Sequence, residues 1–250
     1  MDESSHRKNL LLFCSIMSDD LKFVGNDPGA VKHGNFINYY QFNSVENRIK
    51  LLPNDVWTVS NDKFVGLDIG CNSGDLTQEI YRFLRCNGVD DCSLMGIDLD
   101  PILISRAKET NQYPSNVTYD CIDFMNSDGS SLSSYLSAHG KTFFDAVFCF
   151  SVTMWIHLNH GDEGLKQFLK NVSLRTNMLI IEPQPWKCYR TAVRRMKRSG
   201  GESFPLFSEL KIRDNVTSEI ENILSVDCGF VKIKETVCTE WGRKLQFYKR

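Results

Sequence analysis

The chain has 250 residues, of which 42% are hydrophobic and 24% are charged, and its formal net charge at pH 7 is −2. These values are ordinary for a soluble globular protein. The near-neutral balance excludes a general basic field that would bind nucleic acid over the whole surface, so any site for RNA or phosphate must be local. No stretch approaches the roughly 18 consecutive apolar residues of a membrane-spanning helix, and we expect no membrane partner.

The cysteine content indicates the redox environment. Nine cysteines are present, and no two of them form a Cys-x-x-Cys pair. An odd number without a recognisable disulfide framework is typical of a reducing compartment. We therefore expect a cytoplasmic location, with the nucleus left open.

The N-terminal part divides into a tail and a possible lid. Residues 1–30 are mixed and polar, and we expect a flexible tail ahead of a single domain over residues 31–250. Residues 33–52 are rich in aromatic and basic side chains, which predicts a short helix or lid before the first strand. A helix that only covers the sheet fits this segment equally well.

The first strand ends in a glycine-rich turn, Gly66-Leu67-Asp68-Ile69-Gly70-Cys71-Asn72-Ser73-Gly74. An apolar run stops here and a helical pattern follows, as in the first strand, turn and helix of a doubly wound sheet. Glycine is needed because a side chain would block the approach of a ligand, and because a tight turn can demand positive φ. The spacing Asp-x-Gly-x-x-x-Gly differs from that of pyrophosphate sites and favours a cofactor without phosphates. S-adenosylmethionine, with its ammonium group at Asp68, is the natural candidate; a glycine turn without a ligand is the alternative.

The remaining chain alternates strands and helices, which predicts an α/β fold. Continuous apolar strands are typical of a buried parallel sheet. Two extended segments at the C-terminus predict a closing antiparallel pair. Strands are expected near 64–70, 94–99, 117–122, 144–150, 177–182, 230–239 and 244–249, and helices near 75–86, 101–110, 131–138, 163–172, 188–198 and 214–225.

Acidic residues follow the second and third strands. Asp98 ends the second strand, where a carboxylate accepts hydrogen bonds from two ribose hydroxyls. Asp100 before Pro101 is expected to cap the next helix. Asp123 and Phe124 end the third strand, where an acid and an aromatic ring suit an adenine. A turn aspartate beside a core phenylalanine fits that pair equally well.

The segment 151–163 leaves the fourth strand at the sheet edge where ligands of open α/β folds bind. It contains His157 and His160, but this spacing alone does not specify a metal site, and a third ligand is not identifiable. We therefore expect no metal. We interpret Gly161-Asp162-Glu163 as the start of a helix, with its acids at the positive end.

The fifth strand ends in Glu182-Pro183-Gln184-Pro185-Trp186-Lys187-Cys188-Tyr189-Arg190, and no acid occurs from there to residue 198. The spacing of three, four and four residues between basic positions 187, 190, 194 and 198 predicts that a helix presents them on one face. A basic stripe at this edge suits a phosphate or an RNA end. A solvated helix face is the more common role of such a run.

Methyl transfer from a sulfonium to an anionic oxygen is an in-line displacement that depends mainly on alignment and on the exclusion of water. A phosphate monoester is a ready nucleophile at neutral pH because its second pKa is about 6. No Ser-His-Asp set or pair of carboxylates stands out in the sequence. We therefore predict that positioning donors, rather than a general base, carry the acceptor site.

Three segments closely resemble the Bicoid-interacting-protein-3 family of RNA methyltransferases: the glycine turn, residues 151–162 and residues 182–190. The resemblance runs from about residue 33 to the C-terminus. It is closest to the branch that methylates the 5′-monophosphate of small RNAs such as transfer RNA and microRNA precursors. The sibling branch caps the γ-phosphate of a nuclear small RNA, and it typically has lysine at the position of Met154 and arginine at the position of Asn43.

The resemblance implies a class I S-adenosylmethionine-dependent methyltransferase fold, which is Rossmann-like, with a mostly parallel seven-stranded sheet and an antiparallel C-terminal strand. It also implies that residues 31–60 close over the cofactor, and that the RNA end lies near His157 and the loop 184–190. We predict that His157, Lys187 and Arg190 position the acceptor phosphate. The cofactor residues implied or inferred are Tyr39, Arg48, Asp68, Gly70, Cys71, Asn72, Asp98, Asp123, Phe124 and Phe150; the RNA residues are Gln184, Trp186, Lys187, Tyr189, Arg190, Arg194 and Arg198.

Methylation of an RNA 5′-monophosphate is the main hypothesis, with a small RNA as partner. Capping of the γ-phosphate of a 5′-triphosphate RNA is the alternative within the family. A small-molecule O-methyltransferase would need a closed apolar pocket beside the cofactor. A non-catalytic RNA-binding scaffold would have no need of an intact Asp68, Gly70 and Asp98.

Overall fold

The computed structural model describes residues 20–57 and 63–250. The predictions for residues 1–19 and 58–60, in the tail and the lid, lie outside the described residues. The rest of the expected tail contacts the domain: the side-chain amide of Asn35 donates to the carbonyl oxygen of Leu21 at 2.7 Å, and Arg195 Nη1 donates to that of Gly29 at 3.4 Å.

The described strands are β1 Phe64–Ile69, β2 Cys92–Asp98, β3 Val117–Cys121, β4 Ala146–Phe150, β5 Met178–Glu182, β6 Val231–Glu235 and β7 Gln246–Lys249. They form one sheet in the order β3-β2-β1-β4-β5-β7-β6. β1 to β5 pair in parallel, whereas β7 is antiparallel to both of its neighbours. The predicted sheet with a closing antiparallel pair is confirmed.

The described helices are α1 Tyr39–Phe42, α2 Val45–Ile49, α3 Asp75–Cys86, α4 Pro101–Glu109, α5 Ser130–Ala138, α6 Thr153–Ser173, α7 Trp186–Arg198 and α8 Val216–Asn222. A 3-10 turn at Pro205–Ser208 and a π turn at Ile223–Asp227 flank α8. Within the described residues, no helix is both long enough and apolar enough to cross a membrane.

The start of the sixth helix differs from the prediction of a helix over 163–172. α6 already begins at Thr153, and Gly161 interrupts it with φ 71° and ψ −174°. The signal Gly161-Asp162-Glu163 therefore marks a kink inside α6 rather than the beginning of the helix. The sequence does not mark the true start of this helix with a capping residue, because Val152 occupies the N-cap position and makes no side-chain hydrogen bond.

Two apolar cores lie on the two faces of the sheet, because successive side chains of a strand point in opposite directions. In β4, Val147 and Cys149 join the core beneath α5 to α8, whereas Phe148 and Phe150 join the core beneath α2 to α4. Helices thus cover both faces, which explains the continuous apolar runs of the strands. The carboxyl ends of β1 to β5 meet at one edge, where the polar residues that follow them converge.

The glycine turn has the backbone that its sequence predicts. Gly70 has φ 76° and Gly74 has φ 81°, both in the left-handed region that favours glycine. A Cβ at Gly74 would lie 2.6 Å from the hydroxyl oxygen of Tyr119, and one at Gly70 would lie 2.6 Å from Val152 Cγ2. The turn therefore lacks room for side chains at both positions.

Candidate active site

A cavity of about 290 Å³ lies between the carboxyl ends of β1 to β4 and the segment that carries α1 and α2. We call it the inner cavity. Nine of the ten predicted cofactor residues line it: Tyr39, Arg48, Asp68, Gly70, Asn72, Asp98, Asp123, Phe124 and Phe150. Cys71 does not line it; its side chain is 1% exposed, and its carbonyl oxygen accepts a hydrogen bond from the Tyr40 hydroxyl at 3.2 Å.

Asp68 brings a buried carboxylate to the end of β1. Its side chain is 3% exposed, and Thr77 Oγ1 donates to its Oδ2 at 2.6 Å. Burial raises the pKa of Asp68 to about 6. A cation placed in the inner cavity would stabilise the charged form of this carboxylate, and the ammonium group of S-adenosylmethionine is such a cation.

Asp98 supplies the second buried carboxylate, at the end of β2. Its Oδ2 accepts from the backbone N–H of Asn72 and its Oδ1 from that of Asp100, each at 3.0 Å. Burial raises the pKa of Asp98 to about 6. Each carboxylate oxygen has further acceptor capacity, so a ribose with two hydroxyls fits this position. Asp100 caps α4 through the backbone N–H of Ile102, as predicted.

Arg48 reaches the inner cavity from α2 although its side chain is fully buried. Its Nη2 donates to Glu182 Oε2 at 2.7 Å and to Ser151 Oγ at 3.1 Å. Its Nη1 is buried without a hydrogen-bond partner among the described residues. An unpaired guanidinium N–H is costly away from water. A carboxylate in the cavity would satisfy it, so the methionine end of S-adenosylmethionine fits the residues present.

Asp123 and Phe124 make the turn and core contacts of one expected role and also lie in the wall of the inner cavity. Asp123 accepts from the backbone N–H of Met125 at 2.9 Å and from the Asn126 side chain at 2.8 Å, as a turn aspartate does. The Phe124 ring packs edge-on against the buried Phe168 ring, with 5.4 Å between centroids. Both residues also line the inner cavity, where an adenine would meet them.

A second cavity of about 610 Å³ adjoins the inner cavity along α7. We call it the basic groove, since Lys187, Arg190, Arg194, Arg195 and Arg243 line it. Lys187, Arg190 and Arg194 are exposed, and none of these three forms an ion pair with another described residue. The first three positions of the predicted basic stripe therefore share a groove. Arg198, the fourth, does not line it.

The inner cavity and the basic groove share Tyr39, Ser151 and Trp155. Ser151 directly follows β4 and has φ 60°, an uncommon backbone conformation for a residue other than glycine. Its hydroxyl donates to Glu182 Oε2 at 2.6 Å and accepts from Arg48 Nη2 at 3.1 Å and Arg243 Nη1 at 2.6 Å. A methyl donor in the inner cavity would thus face an anionic acceptor in the basic groove.

His157 is placed beneath the groove rather than in its wall. The ring is fully buried, with Nδ1 3.1 Å from the Tyr189 hydroxyl and Nε2 2.7 Å from Asp162 Oδ1. Because a carboxylate only accepts, Nε2 donates to Asp162 and Nδ1 accepts from Tyr189. Burial lowers the pKa of His157, which favours the neutral ring. Tyr189, which was predicted to contact RNA, is therefore buried, and His157, which was predicted to position the acceptor phosphate, reaches α7 only through Tyr189.

Two further predicted RNA residues have structural partners. Trp186 stacks on Phe207, with ring centroids 5.1 Å apart, and lines neither cavity. Gln184 lines the basic groove but is almost fully buried. Its side-chain amide donates to the carbonyl oxygen of Ser151 at 2.6 Å and accepts from the backbone N–H of Met154 at 3.1 Å. Gln184 therefore fixes the position of the segment that follows β4.

Asp162 binds backbone in addition to His157, since it accepts from the N–H groups of Lys211 and Ile212 at 2.8 and 3.2 Å. Among the residues that the structure describes, no three His, Cys, Asp or Glu side chains are arranged to hold a metal ion. Asp162 thus joins α6 to the segment before α8, and His157 joins α6 to α7 through Tyr189.

Sequence reasoning missed Ser151, Glu182 and Arg243 as site residues. Glu182 had a usable signal, because a carboxylate that ends a buried strand needs a partner. The positive φ of Ser151 had none, since serine is not among the residue types that favour this conformation. Arg243 comes from the turn between β6 and β7, and only the folded sheet brings it beside Ser151.

Comparison with known proteins agrees with this geometry. The chain matches the Bicoid-interacting protein 3 (Bin3) family over residues 144–250 and a general methyltransferase domain over residues 67–176. It is 41% identical over 243 residues to an RNA 5′-monophosphate methyltransferase from Bos taurus, covering 89% of this chain and 82% of that protein. It is 39% identical over 240 residues to a pre-miRNA 5′-monophosphate methyltransferase from Xenopus laevis, covering 89% and 94%.

The fold is also similar to that of magnesium protoporphyrin IX methyltransferase from Synechocystis PCC 6803 with bound SAH. The TM-score is 0.55 at 16% identity, over 86% of this chain and 84% of that chain. At this identity the likeness concerns the fold alone. Together with the sheet order, it confirms the predicted fold class, and the methyltransferase domain match confirms S-adenosylmethionine as the cofactor. The chain belongs to the Bicoid-interacting protein 3 family and has the fold of an S-adenosylmethionine-dependent methyltransferase.

Proposed function

We propose that this chain transfers a methyl group from S-adenosylmethionine to the 5′-monophosphate end of a small RNA of the pre-microRNA or transfer-RNA type. The observation that carries the proposal is the junction at Tyr39, Ser151 and Trp155, where the inner cavity opens into the basic groove. The relatives from Bos taurus and Xenopus laevis are named as methyltransferases of RNA and pre-miRNA 5′-monophosphate ends, which supports the same substrate.

The residues of the inner cavity would hold the cofactor by complementary charge. Asp68 would bind the ammonium group, Arg48 Nη1 the carboxylate, and Asp98 the ribose hydroxyls. When bound, S-adenosylmethionine supplies an electrophilic methyl group: a phosphate oxygen forms a bond to the methyl carbon, the carbon–sulfur bond breaks, and sulfur keeps the electron pair. Tyr39 and Trp155 at the junction would exclude water from this path.

The basic groove would hold the acceptor. Lys187 and Arg190 are exposed cations without carboxylate partners among the described residues, and they would bind the phosphate oxygens. No residue has to remove a proton, because a phosphate monoester is largely dianionic at neutral pH. The product is a monoanionic diester, so the groove binds it less strongly than the substrate. His157 is a positioning residue here, since it contacts α7 through Tyr189.

The lining of the groove favours a monophosphate over a triphosphate. Asn43 and Met154 both line the basic groove, and these are the positions where the capping branch of the family has arginine and lysine. Two cations that could neutralise further phosphates are therefore replaced by neutral side chains. The groove is also open and basic, in contrast to the closed apolar pocket that a small-molecule acceptor would need.

The direct test is methyl transfer from labelled S-adenosylmethionine to one RNA hairpin prepared with a 5′-monophosphate, a 5′-triphosphate or a 5′-hydroxyl end. We expect label on the monophosphate form alone. Label on the triphosphate form would favour capping, and equal label on all three would place the acceptor elsewhere in the RNA. The variant Asp98→Ala, with a defective ribose contact, serves as the inactive control.

A further inference from the structure

We propose that Arg243 is a ligand of the acceptor phosphate, which it binds through its unpaired Nε at the junction of the inner cavity and the basic groove. This assignment rests on the proposed function, and it adds a phosphate contact from the C-terminal loop to those from α7. Nothing in the sequence pattern points to it, because Arg243 lies in a turn outside the basic stripe.

The turn that carries Arg243 is fixed by its own hydrogen bonds. The backbone N–H of Arg243 donates to Thr239 Oγ1 at 3.0 Å, and that of Gly242 donates to the carbonyl oxygen of Thr239 at 2.8 Å. Gly242 has φ 75°, and a Cβ there would lie 3.1 Å from Lys187 Nζ. The turn therefore abuts the ammonium group of Lys187 and brings two cations to the same wall of the groove.

The guanidinium of Arg243 is only partly satisfied. Nη1 donates to Ser151 Oγ at 2.6 Å, and Nη2 lies 3.9 Å from Cys188 Sγ, which is a weak acceptor. Nε is buried and has no hydrogen-bond partner among the described residues. Since an arginine carries its five donors in one fixed plane, the contacts of Nη1 and Nη2 together restrict the orientation of that plane, in which Nε also lies. A buried donor left unpaired is costly, so this position favours a ligand that accepts.

The charge at the junction is positive. The Glu182 carboxylate is occupied by Arg48, by the Ser151 hydroxyl and by Trp241 Nε1, the last at 2.7 Å. Within the described part of the chain, Arg243 forms no ion pair with a carboxylate. Arg48 and Arg243 both contact Ser151, but only Arg48 is paired with Glu182, so the charge of Arg243 has no carboxylate partner there. An anion bound at this point would neutralise it.

The location identifies which anion this is. Ser151 belongs to both cavities, so a group bound by Arg243 beside Ser151 lies next to the methyl donor, whereas Arg190 and Arg194 line the groove along α7. The phosphate that is to be methylated must occupy that place. The competing ligand is the carboxylate of the cofactor, which in the proposed function binds to Arg48 in the inner cavity. An experiment has to separate these two anions.

The experiment uses the full chain and two variants, Arg243→Gln and Arg243→Lys. Glutamine keeps a donor for Ser151 but removes the charge and Nε, and lysine keeps the charge without the planar fork. The measurement is the dissociation constant, with SAH present, of one hairpin RNA with a 5′-monophosphate and of the same RNA with a 5′-hydroxyl. The dissociation constant of SAH alone is measured in parallel. Arg106→Gln, on exposed α4 surface away from both cavities, is the matched control.

We expect wild-type protein to prefer the 5′-monophosphate, Arg243→Gln to lose about tenfold or more of that preference, and Arg243→Lys to recover part of it. The affinity for SAH should stay at the wild-type level in both variants, which also shows that they are folded. Arg106→Gln should keep the full preference.

Three outcomes would overturn the assignment. If Arg243→Gln keeps the wild-type preference, Arg243 does not bind the phosphate. If it loses affinity for SAH and keeps the preference, its ligand is the carboxylate of the cofactor. If wild-type protein itself binds both RNA ends equally, the proposed function fails together with the assignment. Should Arg243→Gln not fold, Arg243→Lys decides, because an unchanged preference in that variant would rule out a bond through Nε.

Discussion

Arg48 and Glu182 form a buried ion pair that ties the segment before the first strand to the end of β5. The Nη2 atom of Arg48 lies 2.7 Å from Glu182 Oε2, and both side chains are 0% exposed. The other carboxylate oxygen accepts from Trp241 Nε1 at 2.7 Å. One carboxylate therefore joins the N-terminal segment, the sheet and the C-terminal loop around the junction of the two cavities.

Replacement of Glu182 by glutamine should destabilise the protein strongly. It leaves the Arg48 charge buried without its partner, and breaking a buried pair in this way costs about 3–5 kcal/mol. Urea unfolding of the free protein measures the loss. Glu163→Gln is the matched control, because its pair with Lys166 lies on the surface and should contribute little to stability. Equal losses in the two variants would contradict a structural role for the buried pair.

Replacement of Asp68 by asparagine should stabilise the free protein and abolish most of its response to cofactor. Burial raises the pKa of Asp68 to about 6, above the roughly 4 of an unfolded chain, so the native state binds the proton more tightly. The contribution of Asp68 to stability therefore increases as pH falls from about 6 to about 4 and is unfavourable above that window. A difference of about two pKa units corresponds to about 2–3 kcal/mol at pH 7.5.

Thermal unfolding of Asp68→Asn with and without SAH checks both parts of this expectation. Asparagine can still accept from Thr77, so the buried hydrogen bond is kept while the charge is lost. The melting temperature without SAH should rise, and the increase on adding SAH should shrink. A variant that melts lower than wild type and keeps the full SAH response would show that the carboxylate does not hold the ammonium group.

The cofactor half of the site could be predicted from sequence because its determinants are local. The glycine turn, the acid that ends β2 and the acid-aromatic pair after β3 all follow directly from strand ends that apolar runs make visible. Parallel strands then bring these ends to one edge. That is why Asp68, Asp98 and Asp123 line one cavity although no two of them are close in the sequence.

The part of the site that would bind the acceptor depends on contacts between distant parts of the chain, which the spacing of residues in the sequence does not reveal. Tyr189 and Arg190 are neighbours on α7, yet one is buried against His157 and the other faces the groove. Helical periodicity correctly predicted that Lys187, Arg190 and Arg194 share one face, but it also included Arg198, which does not line the groove. Arg243 lies outside this pattern because it comes from the turn between β6 and β7, which is distant from α7 in the sequence and contacts it at Cys188.

Tyr189→Phe tests whether the pair of His157 and Tyr189 is a structural contact rather than a contact to the substrate. The change removes the donor to His157 Nδ1 and leaves this buried nitrogen unpaired, which should lower the free energy of unfolding by about 1–3 kcal/mol. We expect the KM for RNA to stay near the wild-type value, because neither side chain lines the groove. Urea unfolding and steady-state kinetics give the two readouts. An unchanged stability with a tenfold higher KM would instead restore a direct contact between Tyr189 and the substrate.

Charge removal in the basic groove should change the salt dependence of RNA binding in a position-dependent way. Lys187→Gln and Arg190→Gln each remove one phosphate contact, so each should flatten the slope of log Kd against log salt by about 1. Lys197→Gln is the control, since Lys197 is exposed on the same helix but lines neither cavity. Fluorescence anisotropy with one 5′-monophosphate hairpin at several salt concentrations provides the slopes. If the three variants share one slope, the groove does not differ from the rest of the α7 surface, and the RNA end must bind elsewhere.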